Sequence, residues 1–540
     1  MKWIAEDNPD IIRWTIIGGP VMAVLLLASC NPAPKYAKPP APMPTAYKEA
    51  PPQYKEGNGW KVAEPGDDKI RGKWWEIYGD TQLNALEEQV ATANQNIVAA
   101  EANYRASKAL VVSARSALFP TVGASPSYSN TRPSKTLLTS ATTAGGTGTA
   151  EGGSKGSINE FVLPFEASYT IDFWHRIRNQ IAANAFNAQA SAADVATAVL
   201  TAQAEVADDY FDIRSLDTQR SILIDTVASY RQSLRLTQTL FETGIDSDED
   251  VAQAQTQLDT ALAQQTDLGV ARATYEHAIA TLIGKPPADF ALEMARFNAV
   301  PPQIPVAVPS TLLERRPDIA AAERVVAAAN ANIGVARAAY YPNLTLSASG
   351  GFETTSFMQW FTWPSRFWSV GPQLAQTFYE GGARRALNEQ AQAQYDADVA
   401  NYRQTVLTAF QAVEDNLASL RILAQEVDQQ HTAVLSASHY LQLALARYRS
   451  GVDSYLNVIT AQTALLTNRE TEVGIQLRQM TASVGLVEAL GGGWNPNSIP
   501  KMDDLIRKEP KWSPAGPVSP NPPTVAAPNP PAVSVGSPPA

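Results

Sequence analysis

The sequence predicts a mainly α-helical, internally duplicated chain that also carries a small membrane β-barrel component of four strands. Three observations predict it. The stretches "ARSALFPTVGASPSYS" at 114–129 and "ARAAYYPNLTLSASGG" at 336–351 repeat one junction, an Ala-rich helical run that stops at an aromatic-Pro pair and continues as alternating small residues. Proline is absent from Phe165 to Lys285 and from Gln373 to Asn495, and because proline costs about 3 kcal/mol in a helix interior, such stretches can hold very long helices. Beyond residue 30 there is no run of about 18 apolar residues, so a membrane-spanning segment there must be a strand.

At the N-terminus, "VMAVLLLASC" closes an apolar segment that begins near Trp14, with Ala28 and Ser29 before the single cysteine. The pattern resembles a bacterial lipoprotein signal, with residues 1–29 as signal peptide and Cys30 as the lipid-attachment residue. In that signal an Asp after the cysteine retains the protein at the inner membrane; Asn31 stands here, which implies the outer membrane. Residues 30–80 are expected to be an anchored, extended segment, since 31–60 are rich in Pro, Lys, Tyr and Ala and too poor in apolar residues to pack alone.

A first repeat is expected over 81–283, a Pro-rich connector at mid-height over 284–309, a second repeat over 310–493, and a disordered Pro-rich tail over 494–540. Within 383–449, Tyr395, Val399, Tyr402, Val406, Ala409, Val413, Leu417 and Leu420 advance by threes and fours, the spacing of a coiled coil. Each long stretch carries one breaker at a matching place, "ETGIDSDED" at 242–250 and "RSGVDSYLN" at 449–457. Gly244 and Gly451 can end a helix in the left-handed conformation, and Asp246, Asp453 or the neighbouring Ser can cap the next. Each stretch is therefore a helical hairpin. A helix from Ile177 to Phe241 would run roughly 100 Å, and its return, Asp248 to Ile283, about half of that. By length, the return and the helix Ser310–Ala339 together match the first long helix, while 454–490 plus Leu83–Leu118 match the second, 383–449.

In the first strand pair Phe161, Leu163, Phe165, Ala167, Tyr169 and Ile171 alternate with Val162, Pro164, Glu166, Ser168 and Thr170, giving one mostly apolar and one mostly polar face. Four strands cannot sit in lipid as an open sheet, because edge backbone groups would be unpaired. Two copies would give eight strands and an interior filled by side chains. Three give twelve and room for a passage, so the expected assembly is a homotrimer with a twelve-stranded β-barrel above a trimeric α-barrel.

The segment "STLLERRPDIAAAERVVAAANANIGVARAAYYPNLTLSASGGF" at 310–352 strongly resembles the signature of the outer-membrane efflux protein family, in its lipoprotein branch related to TolC. So do "WWEIYGDTQLNALEEQV" at 74–90, "YTIDFWHRIR" at 169–178, "QTFYEGGARRAL" at 376–387 and "YRSGVDSYLNVITAQTALL" at 448–466. The resemblance implies a trimeric channel whose helical tips dock to a periplasmic adaptor of an inner-membrane transporter. It places docking at Gly244, Asp246, Ser247, Gly451, Val452, Asp453, Ser454 and Tyr455. His175 departs from the glycine usual in the family after Asp-Phe-Trp. In related channels an Asp and an Arg close the entrance; the matching positions here are Thr460 and Thr463.

Asp246, Asp248, Glu249, Asp250 and Asp453, repeated threefold, are expected to ring the periplasmic opening and attract cations or basic adaptor groups. "DSDED" is not read as a calcium loop, because Val251 and Gln257 stand where Gly and Glu are needed. His175, His277, His431 and His439 are scattered and form no metal or catalytic constellation, and "GGTGTAEGG" lacks the strand-to-helix context of a phosphate loop. A net charge of -11 with no basic stripe argues against nucleic acid. The reading is a passive outer-membrane export conduit without enzymatic activity or cofactor, driven by its inner-membrane partner. A structural or adhesive trimeric coiled-coil lipoprotein is the alternative, and it would not need the four strands.

Overall fold

A computed structural model of the chain describes residues 31–44, 46–49, 72–132, 157–297, 300–302, 304 and 315–507. The expected signal peptide and Cys30 lie outside the described residues, as do part of the 284–309 connector and the tail from 508 onward. The helices are α1 (Thr81–Ala93), α2 (Gln95–Ser116), α3 (Arg176–Glu242), α4 (Asp248–Leu282), α5 (Pro317–Ala338), α6 (Ala383–Arg449), α7 (Tyr455–Ala489) and α8 (Met502–Arg507). The strands are β1 (Thr121–Ala124), β2 (Ser127–Thr131), β3 (Ile158–Ile171), β4 (Asn343–Thr354) and β5 (Arg366–Ala375). Helices come in pairs of equal length: α3 and α6 have 67 residues each, α4 and α7 have 35, α2 and α5 have 22.

The helices form four staves side by side. α3 packs on α2 and α4, and also on α5 and α7, which in turn pack on α6. The stacking corrects the expectation from length. Asn94 Nδ2 donates to the Leu282 carbonyl at 2.9 Å, seating α2 on the end of α4. Arg316 Nη1 donates to the Ala489 carbonyl at 2.9 Å, seating α5 on the end of α7. The staves are thus α2 over α4, α3, α5 over α7, and α6. Because α2 and α5 are equally long, length could not discriminate the two pairings. What decides is that α2 and α4 are both hairpin partners of α3, one at each of its ends.

At both seams the lower helix ends on a left-handed glycine, Gly284 (φ 69) and Gly491 (φ 91). A Cβ there would lie 2.3 Å from the Ala93 carbonyl oxygen and 2.1 Å from that of Arg315. The N-terminal helix, expected unbroken over Leu83–Leu118, is split at Asn94. That residue is extended (φ -66, ψ 124), and its side chain accepts from the Asn96 and Ile97 amides at 2.9 and 3.2 Å. The main core lies at these seams, around Trp74, Leu83, Tyr210, Phe211, Ile279, Val406 and Val484.

The antiparallel sheet repeats the stave order. β1 and β2 share one register on β3, interrupted only at Ser125-Pro126, and β3 pairs with β4 and β4 with β5. Each strand continues one stave, so sheet and helical layer have their free edges in the same two places: β1–β2 with the α2/α4 stave, and β5 with α6.

Residues 31–44 and 46–49 form an extended strap that packs on the helices. Asn31 exchanges hydrogen bonds with Asn179 in the first turn of α3, and Asn330 donates to the Pro34 carbonyl at 2.9 Å. Tyr36 donates to Glu323 at 2.5 Å, and Glu414 accepts from the Lys48 and Glu49 amides. A Cβ on Gly334 would sit 2.5 Å from Ala33, so the strap needs that glycine to pass. The expected disorder from 494 does not hold for 494–507: α8 packs through Leu505 on Val111, Ile181 and Ala185, and Gln189 donates to the Pro500 carbonyl. Among the described residues no helix is long and apolar enough to cross a membrane.

Candidate functional site at the helical tip

Both hairpins turn the same way. In the first, the Gly244 amide donates to the Phe241 carbonyl and the Ile245 amide to that of Leu240, both at 2.9 Å. In the second, Gly451 donates to Tyr448 at 2.9 Å and Val452 to Arg447 at 3.0 Å. With Gly244 at φ 78 and Gly451 at φ 71, each is a Schellman turn whose following residue is apolar. Ile245 and Val452 stand 66% and 63% exposed at the extreme end, a pair of apolar knobs with no partner of their own among the described residues. Ile245 was missed in sequence, although the shared Gly-[Ile/Val]-Asp pattern marks it.

The expected docking residues divide by environment. Gly244, Ser247, Gly451, Val452 and Ser454 are exposed, and Asp246 and Asp453 are half-buried. Tyr455 corrects the expectation: it is 1% exposed, packed with Tyr448, Tyr230 and Leu258 between the hairpins, and cannot touch a docking partner. Four of the five expected ring carboxylates are engaged locally, Glu249 by accepting from Gln253 Nε2 at 3.2 Å. The Tyr448 hydroxyl donates to Asp246 and lies 2.9 Å from the Thr237 hydroxyl; burial, then the Asp246 carboxylate, raises its phenol pKa. Arg447 Nε donates to Asp453 at 2.6 Å. Asp250 closes a capping box with Ser247. Asp248 and Glu249 lie exposed in the first turn of α4, where the helix dipole favours them.

Side chains also tie the hairpins to each other. Gln462 donates to Ser233 Oγ at 2.9 Å, and Gln257 donates to Thr463 Oγ1 at 2.7 Å. Among the described residues Thr460 bonds its own helix, at the Leu456 carbonyl. The two hairpins of the tip are thus held to each other by neutral amide and hydroxyl contacts plus one phenol–carboxylate bond.

A second acidic region lies near the seams. Glu87 on α1 is fully buried, and neither carboxyl oxygen has a hydrogen-bond partner among the described residues. Burial alone pushes its pKa up to about 9. Asp208 and Asp209 on α3 are each pushed up to about 7, by burial first and by neighbouring carboxylates second. Among the described residues no group of three or more His, Cys, Asp and Glu could hold a metal ion.

At the opposite end the sheet sorts its side chains by face. Register places Phe165, Leu346, Val370 and Leu374 on one side, all exposed, with Trp368 81% exposed among them. Glu166, Ser168, Ser347, Ser349, Ser369 and Gln373 lie on the other. An apolar exposed face backed by a polar one is the pattern of a barrel strand set between lipid and a watery lumen.

The family model for the outer membrane efflux protein matches residues 86–285 and 308–492. The chain is 31% identical over 493 residues to the pyoverdine export outer membrane protein OpmQ of Pseudomonas aeruginosa, covering 91% of this chain and 98% of that protein. It is 28% identical over 477 residues to the probable efflux pump outer membrane protein TtgC of Pseudomonas putida, covering 88% and 94%. The solved outer-membrane channel OprN superimposes with a TM-score of 0.72 at 26% identity, over 86% of this chain and all of that one.

Proposed function

The chain belongs to the outer membrane efflux protein family, and we propose that three copies close edge to edge into one conduit running from a periplasmic adaptor to the cell exterior. It is an outer-membrane component of an efflux pump and not an enzyme. The observation that carries the trimer is the coincidence of free edges: among the described residues β1–β2 and β5 each leave their outer edge unpaired, above the α2/α4 stave and α6. A sheet edge left open in lipid is costly, so the same lateral neighbour that pairs the strands also pairs the staves. Twelve strands and twelve staves follow, with the polar sheet face lining the passage.

Tip docking is read at Gly244, Asp246, Ser247, Gly451, Val452, Asp453 and Ser454, with Ile245 added, and supplies contact to the adaptor and its inner-membrane transporter. The apolar knobs Ile245 and Val452 give this surface its adhesive centre. Asp248 and Glu249 contribute the exposed part of the entrance ring, and Asp246, Asp250 and Asp453 shape the loops that carry it. Lipid attachment at Cys30 is supported by the strap, whose Asn31 sits beside the helix ends that lead into the strands. Transport energy comes from the inner-membrane partner.

The test is sedimentation equilibrium of the purified chain in detergent together with conductance in planar bilayers. A three-chain particle that alone forms channels is expected; a stable monomer or dimer that conducts would overturn the closure.

A further inference from the structure

The hairpin loop between β4 and β5 caps the sheet end: its Gln359, Thr362 and Ser365 line a cavity with Glu160 and Glu353 of the polar face, while its aromatic residues lie over the apolar one. Phe161 and Phe352 occupy the apolar face by register, and the loop's Phe357 and Trp360 pack on Phe161 at 5.6 and 5.4 Å between ring centroids, with Phe361 on Phe352 at 5.7 Å. The remaining apolar side chains of the same loop point away from the protein: Met358 is 87% and Trp363 76% exposed. Continuity with the apolar face puts the aromatic side of the loop, rather than its polar side, toward lipid. Arg366, the first residue of β5, also falls on the apolar face opposite Phe352. It is exposed, its guanidinium lies over the Trp363 ring, and its Nε donates to the Trp363 carbonyl at 3.2 Å. A cation on a lipid-facing strand position belongs at the headgroup level, where an anion can meet it.

β4 leaves the helical layer at Asn343 and reaches Thr354 at its far end. On the reading that the helices are periplasmic and the sheet spans the outer membrane, this loop lies at the outer leaflet. We infer that residues 355–366 form an interfacial anchor, with Met358, Phe361 and Trp363 seated among upper acyl chains of the outer leaflet and Arg366 on its phosphate-bearing headgroups. Amphipathic aromatic rings beside a basic group favour that zone of a bilayer.

The test uses the full chain, assembled in vesicles, with an environment-sensitive fluorophore on Met358→Cys, Trp363→Cys or Leu346→Cys. Labels at 358 and 363 should be quenched by lipids brominated near the headgroup end of the chain and be several-fold less accessible to acrylamide than free dye. Free access to acrylamide would put the loop in water, and protection without lipid quenching would put it in the passage or between copies; either overturns the anchor. The label at 346 separates the two readings: if it too escapes lipid quenching, the membrane-spanning sheet itself fails. Adding Arg366→Gln should raise acrylamide access at 363 several-fold in phosphatidylglycerol vesicles and hardly at all in phosphatidylcholine; equal effects in both would remove the phosphate contact.

Discussion

At the foot of α3, Ser247 and Asp250 close a capping box, whereas at the foot of α6 the equivalent Ser454 makes no side-chain cap and Tyr455 beside it is buried between the hairpins. The same contrast recurs upward through the two halves. At the seams Asn94 holds one stacked helix and Arg316 the other. Where the strands enter the long helices, His175 stands left-handed at φ 57 and Gly382 at φ 92. The halves agree in helix length and in the left-handed glycines of tip and seam, Gly244 with Gly451 and Gly284 with Gly491, and differ in most of the side chains that satisfy a helix end. Backbone geometry fixes where a stave must stop and turn; the donor or acceptor that satisfies its end is interchangeable.

The shared glycines therefore give the largest predicted effects. Gly284→Ala and Gly491→Ala each combine a left-handed β-carbon with a collision against a carbonyl oxygen. Each should cost about 3 kcal/mol, read as a fall in melting temperature of the assembled protein. Equal falls would sharpen the equivalence of the seams, and a tolerant seam in either half would break it.

Glu87 has no described counterpart in the second half and offers the next largest effect. Its folded pKa is raised, so the stability it contributes is present below the ordinary carboxyl pKa near 4.5 and is lost as pH rises toward about 9. Glu87→Gln cannot ionise. It should melt near wild type at pH 5 and progressively above it as the pH rises to 8. A gain independent of pH would mean that it does not come from ionisation of the carboxyl. Smaller still is the cap: Ser247→Ala should cost about 1 kcal/mol and Ser454→Ala almost nothing, measured by the same melts. Similar losses in both would erase the asymmetry at the tips.

Much of this was legible in the residues. Absent prolines and the paired Gly-[Ile/Val]-Asp turns located both hairpins, and period-two alternation found the strands. The seams were not legible from helix length, because α2 and α5 are equally long; chain connectivity decides, and the Asn94 and Arg316 contacts show which sits on which. The packed strap escaped notice because an extended Pro-rich segment has no periodicity; Tyr36 and Tyr47 anchor it singly. Tyr455 looked like a tip residue because exposure cannot be read from proximity to a turn, and the first residue of α7 points inward. The expected charge ring counted acids without the donors that engage them, Tyr448 and Arg447, which come from the end of α6.

The smallest predicted effect concerns His175, where the sequence already departs from glycine. The carboxylate of Asp172 caps α3, accepting from the Ile177 and Arg178 amides at 3.0 Å each, just as Glu380 accepts from the Arg384 amide at the start of α6. The cap does not depend on the left-handed residue between, so His175→Gly should keep it while relieving the β-carbon strain. Glycine's extra freedom in the unfolded chain offsets part of that relief, leaving a net gain of about 0.5 kcal/mol. Gly382→His should lose a similar amount or more. If His175→Gly instead lowers the melting temperature, the contact of its imidazole with Arg178, 3.3 Å away, outweighs the strain, and the two helix starts differ in energy as well as in residue type.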